Sequence, residues 1–159
     1  DGEKLSINWL TYPTRLEQPK LAEYAQATLK DIGIDVQVNN TSDHRTFAEN
    51  GDFDVYVSST TTAPTGDPEY FFTSTVVGSK NYGKYQNDEV TKLTEKLHQT
   101  FDKDERGKLA VELQQDILDD DAFFFVSHLN MGIVTKSNVK GMAAHPCDYY
   151  EITADLDVE

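Results

Sequence analysis

Cysteine is nearly absent: Cys147 stands alone, which excludes an internal disulfide and any multi-cysteine metal cluster within the chain. No apolar stretch approaches the roughly 18 residues of a membrane-spanning helix. The opening residues DGEKLSINWL carry no basic region, apolar core or cleavage site, so they are not read as an export signal. Positive charge is scarce as well, with 14 Lys and Arg against 28 Asp and Glu and a formal net charge of −14. Such a field repels phosphate backbones and anionic headgroups, and nucleic acid is not an expected partner. A Gly-rich phosphate loop, GxSxG, HExxH and CxxC are all missing, which lowers the expectation of an enzyme.

What is present is a regular alternation of strand and helix signals. Leu5, Ile7 and Trp9 alternate with polar residues up to Tyr12 and Pro13, predicting a first strand. Leu21, Tyr24, Ala25, Leu29 and Ile32 recur every three or four residues, with Pro19 in the first turn and Gly33 as the stop, predicting a helix. Ile34, Val36 and Val38 form a second strand, DHRTFAENG a short helix closed by Gly51, and Phe53, Val55 and Val57 a third strand. This order predicts an α/β fold with a mixed sheet and right-handed crossover helices. Two amphipathic helices follow, one carrying Val90, Leu93, Leu97 and Phe101, the other Leu109, Leu113 and Ile117 behind a capping pair, Asp102 and Glu105. The apolar run AFFFVSHLNMGIVTK predicts a β-hairpin over 123–135, joined to the sheet, with Phe123 to Phe125 buried. At 159 residues, one domain around one core is expected.

The third strand opens into Thr60, Thr61 and Thr62, then Ala63, Pro64 and Thr65, before Asp67 and Pro68. Asp followed by Pro reads as a helix N-cap and first helical position. A polar loop is therefore held between a strand end and a helix start, where open α/β sheets place ligands. Three stiff β-branched hydroxyl residues suit a polar ligand, since they offer donors and acceptors with little side-chain freedom to lose. His98 reads as a helix-end cation. His145 and Cys147 flank Pro146 and make a weak metal pair, and Asp119 to Asp121 read as a solvated turn.

Taken in order, LAEYAQATLKDIGIDVQV, FAENGDFDVYVSS, GDPEYFF, the segment NYGKYQNDEV through DDDAFFF, and VTKSNVKGM resemble the C-terminal lobe of the peptide/nickel family of ABC-transporter solute-binding proteins. The resemblance runs nearly the whole chain. It implies a periplasmic-binding-protein-like lobe over residues 1–144 and a tail, 145–159, packing on or crossing toward a missing N-terminal lobe. It also implies a non-enzymatic bacterial receptor, periplasmic or lipid-anchored at the cell surface, that closes on a solute and delivers it to an ABC permease.

In that family the loop after the strand matching FDVYVSS faces the cleft between lobes, and it usually carries a Trp and, in peptide binders, an Asp that holds the peptide amino group. Here the Trp position falls among Thr60, Thr61 and Thr62, and Ala63, Pro64 or Thr65 takes the place of the Asp. The Ala63-Pro64 step and the ending HPCDYYEITADLD resemble the nickel branch. The ligand residues so implied are Thr60, Thr61, Thr62, Ala63, Pro64 and Thr65, with Asn81 and Tyr82 in second rank. No firm metal ligand is identified, His128 and His145 being weak candidates. A nickel or other metal chelate, carried as a transported ligand and not as a cofactor, stands ahead of a peptide. A small hydrolase using a carboxylate such as Asp67 is the competing class.

Overall fold

The alternation at Ile7 and Trp9 becomes strand β1, Ser6–Thr11, in the computed structural model, which describes residues 4–130, 132–145 and 152–159. Helix α1 spans Glu17–Asp31 and ends through Gly33, whose φ of +86° is the left-handed conformation that glycine adopts without strain. Strand β2 is Asp35–Asn40, helix α2 is His44–Asn50, closed by Gly51 at φ +78°, and strand β3 is the two residues Val55–Tyr56. Both pairings among these strands are parallel, in the order β2-β1-β3, with Trp9 opposite Val38 on one side and Val55 on the other. The connection through α2 therefore crosses β1. The sheet's topological switch point lies between β1 and β3.

The chain divides into two compact units, residues 1–60 and 61–159. The first buries Leu10, Tyr12, Ala22, Val36 and Ala48. The second has a larger apolar cluster of Phe72, Val76, Val90, Leu97, Leu109, Ala110, Leu113 and Ile117. Where one core is expected from length, two compact units each have their own buried residues. Tyr24 on α1 and Ile32 just past its end are both 71% exposed, so the buried face is narrower than the spacing predicts and centres on Ala22 and Gln18.

In the second unit, α3 (Glu69–Phe71) runs directly into a π-helical turn, Phe72–Val76. The hydroxyls of Thr73 and Ser74 donate to the carbonyls of Glu69 and Tyr70, at 3.0 and 2.6 Å, which gives the wide turn's acceptors a partner. Gly78 closes it: a Cβ there would collide with the Thr73 carbonyl oxygen. Helix α4, Asp88–Gln99, is capped by Asn87, whose side chain accepts from Glu89 N and Val90 N. Helix α5, Lys103–Asp119, starts from Asp102, which accepts from Glu105 N. Phe101 lies in the turn between them, 93% exposed and off the apolar face.

The hairpin expected at 123–135 is not formed among the described residues. The described residues there are irregular, Phe124 is 90% exposed and Phe125 51%, and only Phe123 packs against the cluster. A strand needs a second strand to complete its ladder, and none among the described residues meets this run. The antiparallel pair instead joins β4, Val139–Lys140, to β5, Asp157–Val158, as a separate sheet. Part of the expected tail therefore returns to the chain just upstream.

Candidate functional site

Pro64 and Gly66 shape the loop that follows Thr60. Gly66 N donates to Ala63 O at 3.0 Å, closing a β-turn with Pro64 second, Thr65 third and Gly66 fourth at φ +80°. Pro64 is buried, Thr65 projects outward, Thr61 and Ala63 are half-buried, and Thr60 and Thr62 are exposed. Immediately beyond, Pro68 takes the N-cap position of α3 that the sequence assigns to Asp67, yet the Asp67 carboxylate still accepts from Glu69 N at 2.9 Å.

Arg106 reaches this turn from the first half of α5. Its Nε and Nη2 donate to the two oxygens of Asp67 at 2.9 and 2.7 Å, and Nη2 also donates to Glu69 at 2.7 Å. Nη1 donates to the carbonyls of Leu97 and Thr100 at 2.7 and 2.6 Å, where a cation also suits the C-terminal end of α4. A guanidinium has five N–H donors, and every one is used. The Arg106 pair holds the Asp67 carboxyl below its ordinary value of 3.8. Burial pushes Glu69 up, but hydrogen bonds from Arg106 and His98 outweigh it and leave the group below 4.5. His98 Nδ1 lies 2.6 Å from Glu69. Thr65, Asp67, Glu69, Tyr70, Thr73 and Arg106 line a shallow, open cleft of about 300 Å³. Both carboxylates in it are held ionised, so neither is poised as a general acid.

Of the ligand residues implied by the resemblance, Thr65 alone lines this cleft, together with Asp67, the carboxylate of the competing reading. The Asn81 amide brackets the backbone of Tyr85, donating to its carbonyl at 2.8 Å and accepting from its N–H at 2.9 Å. Tyr82 is half-buried, and His128 and His145 are exposed outside the cleft. Among the described residues no three His, Cys, Asp or Glu side chains gather as a metal site. Pro146 and Cys147 lie outside the described residues. Sequence reasoning missed Arg106, whose local trace is an Arg in the charged first turns of a helix, between Glu105 and Gly107.

A second polar assembly occupies the first unit, at the carboxyl end of its sheet. Ser59 N donates to Tyr12 Oη at 3.1 Å, Ser59 Oγ donates to Glu17 at 2.8 Å, and the Gln18 amide lies 2.6 Å from the same Oγ. Tyr12 stacks on His44 with ring centroids 4.1 Å apart, and His44 Nδ1 lies 2.7 Å from Tyr56 Oη. Burial, with Arg45 adding, pushes His44 below its ordinary 6.5. A hydrogen bond from its own backbone, with Ser59 contributing, holds Glu17 low. Residues following β1 and β3 thus meet at the switch point, the position where open sheets hold ligands.

Two curated relatives match almost the whole chain. The nickel-binding protein NikA of Staphylococcus aureus is 26% identical over 158 residues, 98% of this chain and 32% of that protein. The oligopeptide-binding protein AppA of Bacillus subtilis is 27% identical over 158 residues, 96% of this chain and 29% of that protein. A crystal structure of S. aureus NikA in complex with Ni(L-His)2 superposes with a TM-score of 0.77 at 24% identity, covering 98% of this chain and 34% of that one, a likeness of fold. The chain spans about a third of the length of these relatives. The family model described as bacterial extracellular solute-binding proteins, family 5, middle region, matches residues 1–83, just over half of the sequence, and the chain belongs to that family.

Proposed function

We propose that this chain is one lobe of the substrate-binding component of an ABC importer, a receptor outside the cytoplasm that closes with a second lobe over a nickel or other metal chelate and delivers it to a membrane permease. The observation that carries the choice of ligand is the saturation of Asp67. A peptide ammonium removed from water requires a carboxylate partner, because an unpaired buried ammonium costs several kcal/mol. The carboxylate nearest the threonine turn is already paired with Arg106 and with a backbone N–H. A chelate brings most of its own ligand atoms and asks the protein for hydroxyls and amides.

Thr61, Thr62, Pro64 and Thr65 are the principal contacts in this reading, with Thr60 and Ala63 completing the loop and Asn81 and Tyr82 in second rank. His128 and His145 become metal ligands only when a second lobe brings them to the solute. Likeness to NikA supports the chelate, and the comparable likeness to AppA supports the alternative, an oligopeptide or dipeptide. The open cleft and its ionised carboxylates support binding over hydrolysis.

The test uses the intact two-lobed protein, titrated with nickel plus free L-histidine and, separately, with a di- and tripeptide mixture. Ligand present at a hundred times its Kd stabilises the bound form by about 2.7 kcal/mol, a readily measured rise in melting temperature. A rise with nickel-histidine is expected. A rise with peptides and none with nickel-histidine reverses the order of the two ligands.

A further inference from the structure

We propose that Arg106 is the positioning residue of the solute site: it sets the turn 63–66, and with it Thr65, in the geometry that the solute needs, without touching the solute itself. This rests on the reading above, in which the turn contacts the ligand. Three observations carry it. All five guanidinium donors are used by protein acceptors, so Arg106 has none left for a ligand. Its acceptors come from three places: Asp67 directly behind the turn, Glu69 in the first turn of α3, and the last carbonyls of α4. One side chain thus fastens the turn to the helical hairpin. Beyond this, Pro64 is buried, and the turn's own closure is a backbone bond from Gly66 to Ala63.

The planar fork matters as much as the charge. A lysine supplies a compact ammonium with three donors and cannot reach two carboxylates and two carbonyls from one position. Arg106→Lys should therefore behave like Arg106→Met at the turn, though it keeps the charge.

The experiment compares four variants of the intact two-lobed protein, Arg106→Lys, Arg106→Met, Thr65→Val and Leu113→Val, the last a core change in the same unit. Affinity is measured by calorimetry well below every melting temperature, with nickel plus L-histidine and with the peptide mixture as probes. Amide hydrogen exchange over residues 63–69 is followed in parallel. Both Arg106 variants should weaken binding of the probe that wild type takes by tenfold or more and speed exchange at 66–69, while Leu113→Val stays within twofold on both measures. Wild-type affinity in Arg106→Met, or unaltered exchange over 63–69 whatever the probe, overturns the proposal. Thr65→Val binding within twofold of wild type while Arg106→Met binds weakly removes the turn from the solute contacts. That outcome defeats the underlying reading by a different variant.

Discussion

The parallel sheet of the first unit and the helical hairpin of the second are held by different kinds of interaction. Around β1, the buried apolar residues are few and mostly modest in size, Leu10, Ala22, Val36 and Ala48, and hydrogen bonds that Ser59 makes with Tyr12, Glu17 and Gln18 fix the segment just past the third strand. Around α4 and α5, leucines at 97, 109 and 113 with Ile117, Phe72 and Val76 make a dense apolar cluster, and one ion-paired residue, Arg106, ties the polar turn to it. A two-residue strand such as β3 needs polar fastening because it has little side-chain area to bury. A pair of long helices does not.

That contrast can be broken most severely in the second unit. Leu113→Ala should lower the unfolding free energy by about 2–5 kcal/mol, the range for deleting a fully buried leucine, measured by urea denaturation. Ser59→Ala, the matching lesion in the first unit, removes a hydroxyl and should cost about 1 kcal/mol. A loss as large as that of Leu113→Ala would show that polar fastening dominates there.

Acid sharpens the same comparison. The folded-state values of His44, Asp67 and Glu69 all lie below their ordinary values of 6.5, 3.8 and 4.5, so each stabilises above its ordinary value and loses that contribution as pH falls through the folded one. Falling pH should weaken the first unit below 6.5, through His44, before it weakens the second below 4.5. The carboxylate share is on the order of 1 kcal/mol, because Asp67 is 38% exposed and solvent screens its pair. Hydrogen exchange read unit by unit across pH 7 to 3 checks the order, and simultaneous loss in both units contradicts it.

The smallest effect is a gain. Asp121 ends α5 at φ +51°, with its N–H on Leu118 O and that of Ala122 on Ile117 O, a helix stop usually made by glycine. Asp121→Gly should raise stability by about 0.5–1 kcal/mol by removing left-handed strain. A lower melting temperature would mean that the carboxylate has a role the backbone does not reveal.

The order of strands and helices up to Tyr56, and the two long helices, were legible because each depends on local periodicity and on stops such as Gly33 and Gly51. The Thr60 to Thr65 loop was legible for the same reason, lying between two local signals. The segment 123–135 was not, since its β-branched and aromatic composition reports a wish to pair while the pairing partner is non-local. Arg106 was hidden by its distance from Asp67, 39 residues away in sequence. The backbone bracket that Asn81 forms on Tyr85 was not legible either, because an amide in a Gly-containing turn reads equally well as a ligand contact and as a turn bond.

Under the proposed function, the complete use of Arg106's donors also bears on how fast a solute arrives. With its charge shared between Asp67 and Glu69, the cleft presents two carboxylates against one guanidinium, set in a chain of net charge −14. Field lines at such a mouth draw cations inward and turn anions away, and dissolved salt shortens their reach to about 8 Å at physiological ionic strength. Encounter with a cationic complex should therefore slow as salt is added, and encounter with an anionic one should quicken, so that the sign of the salt effect on the association rate reports the charge of the solute.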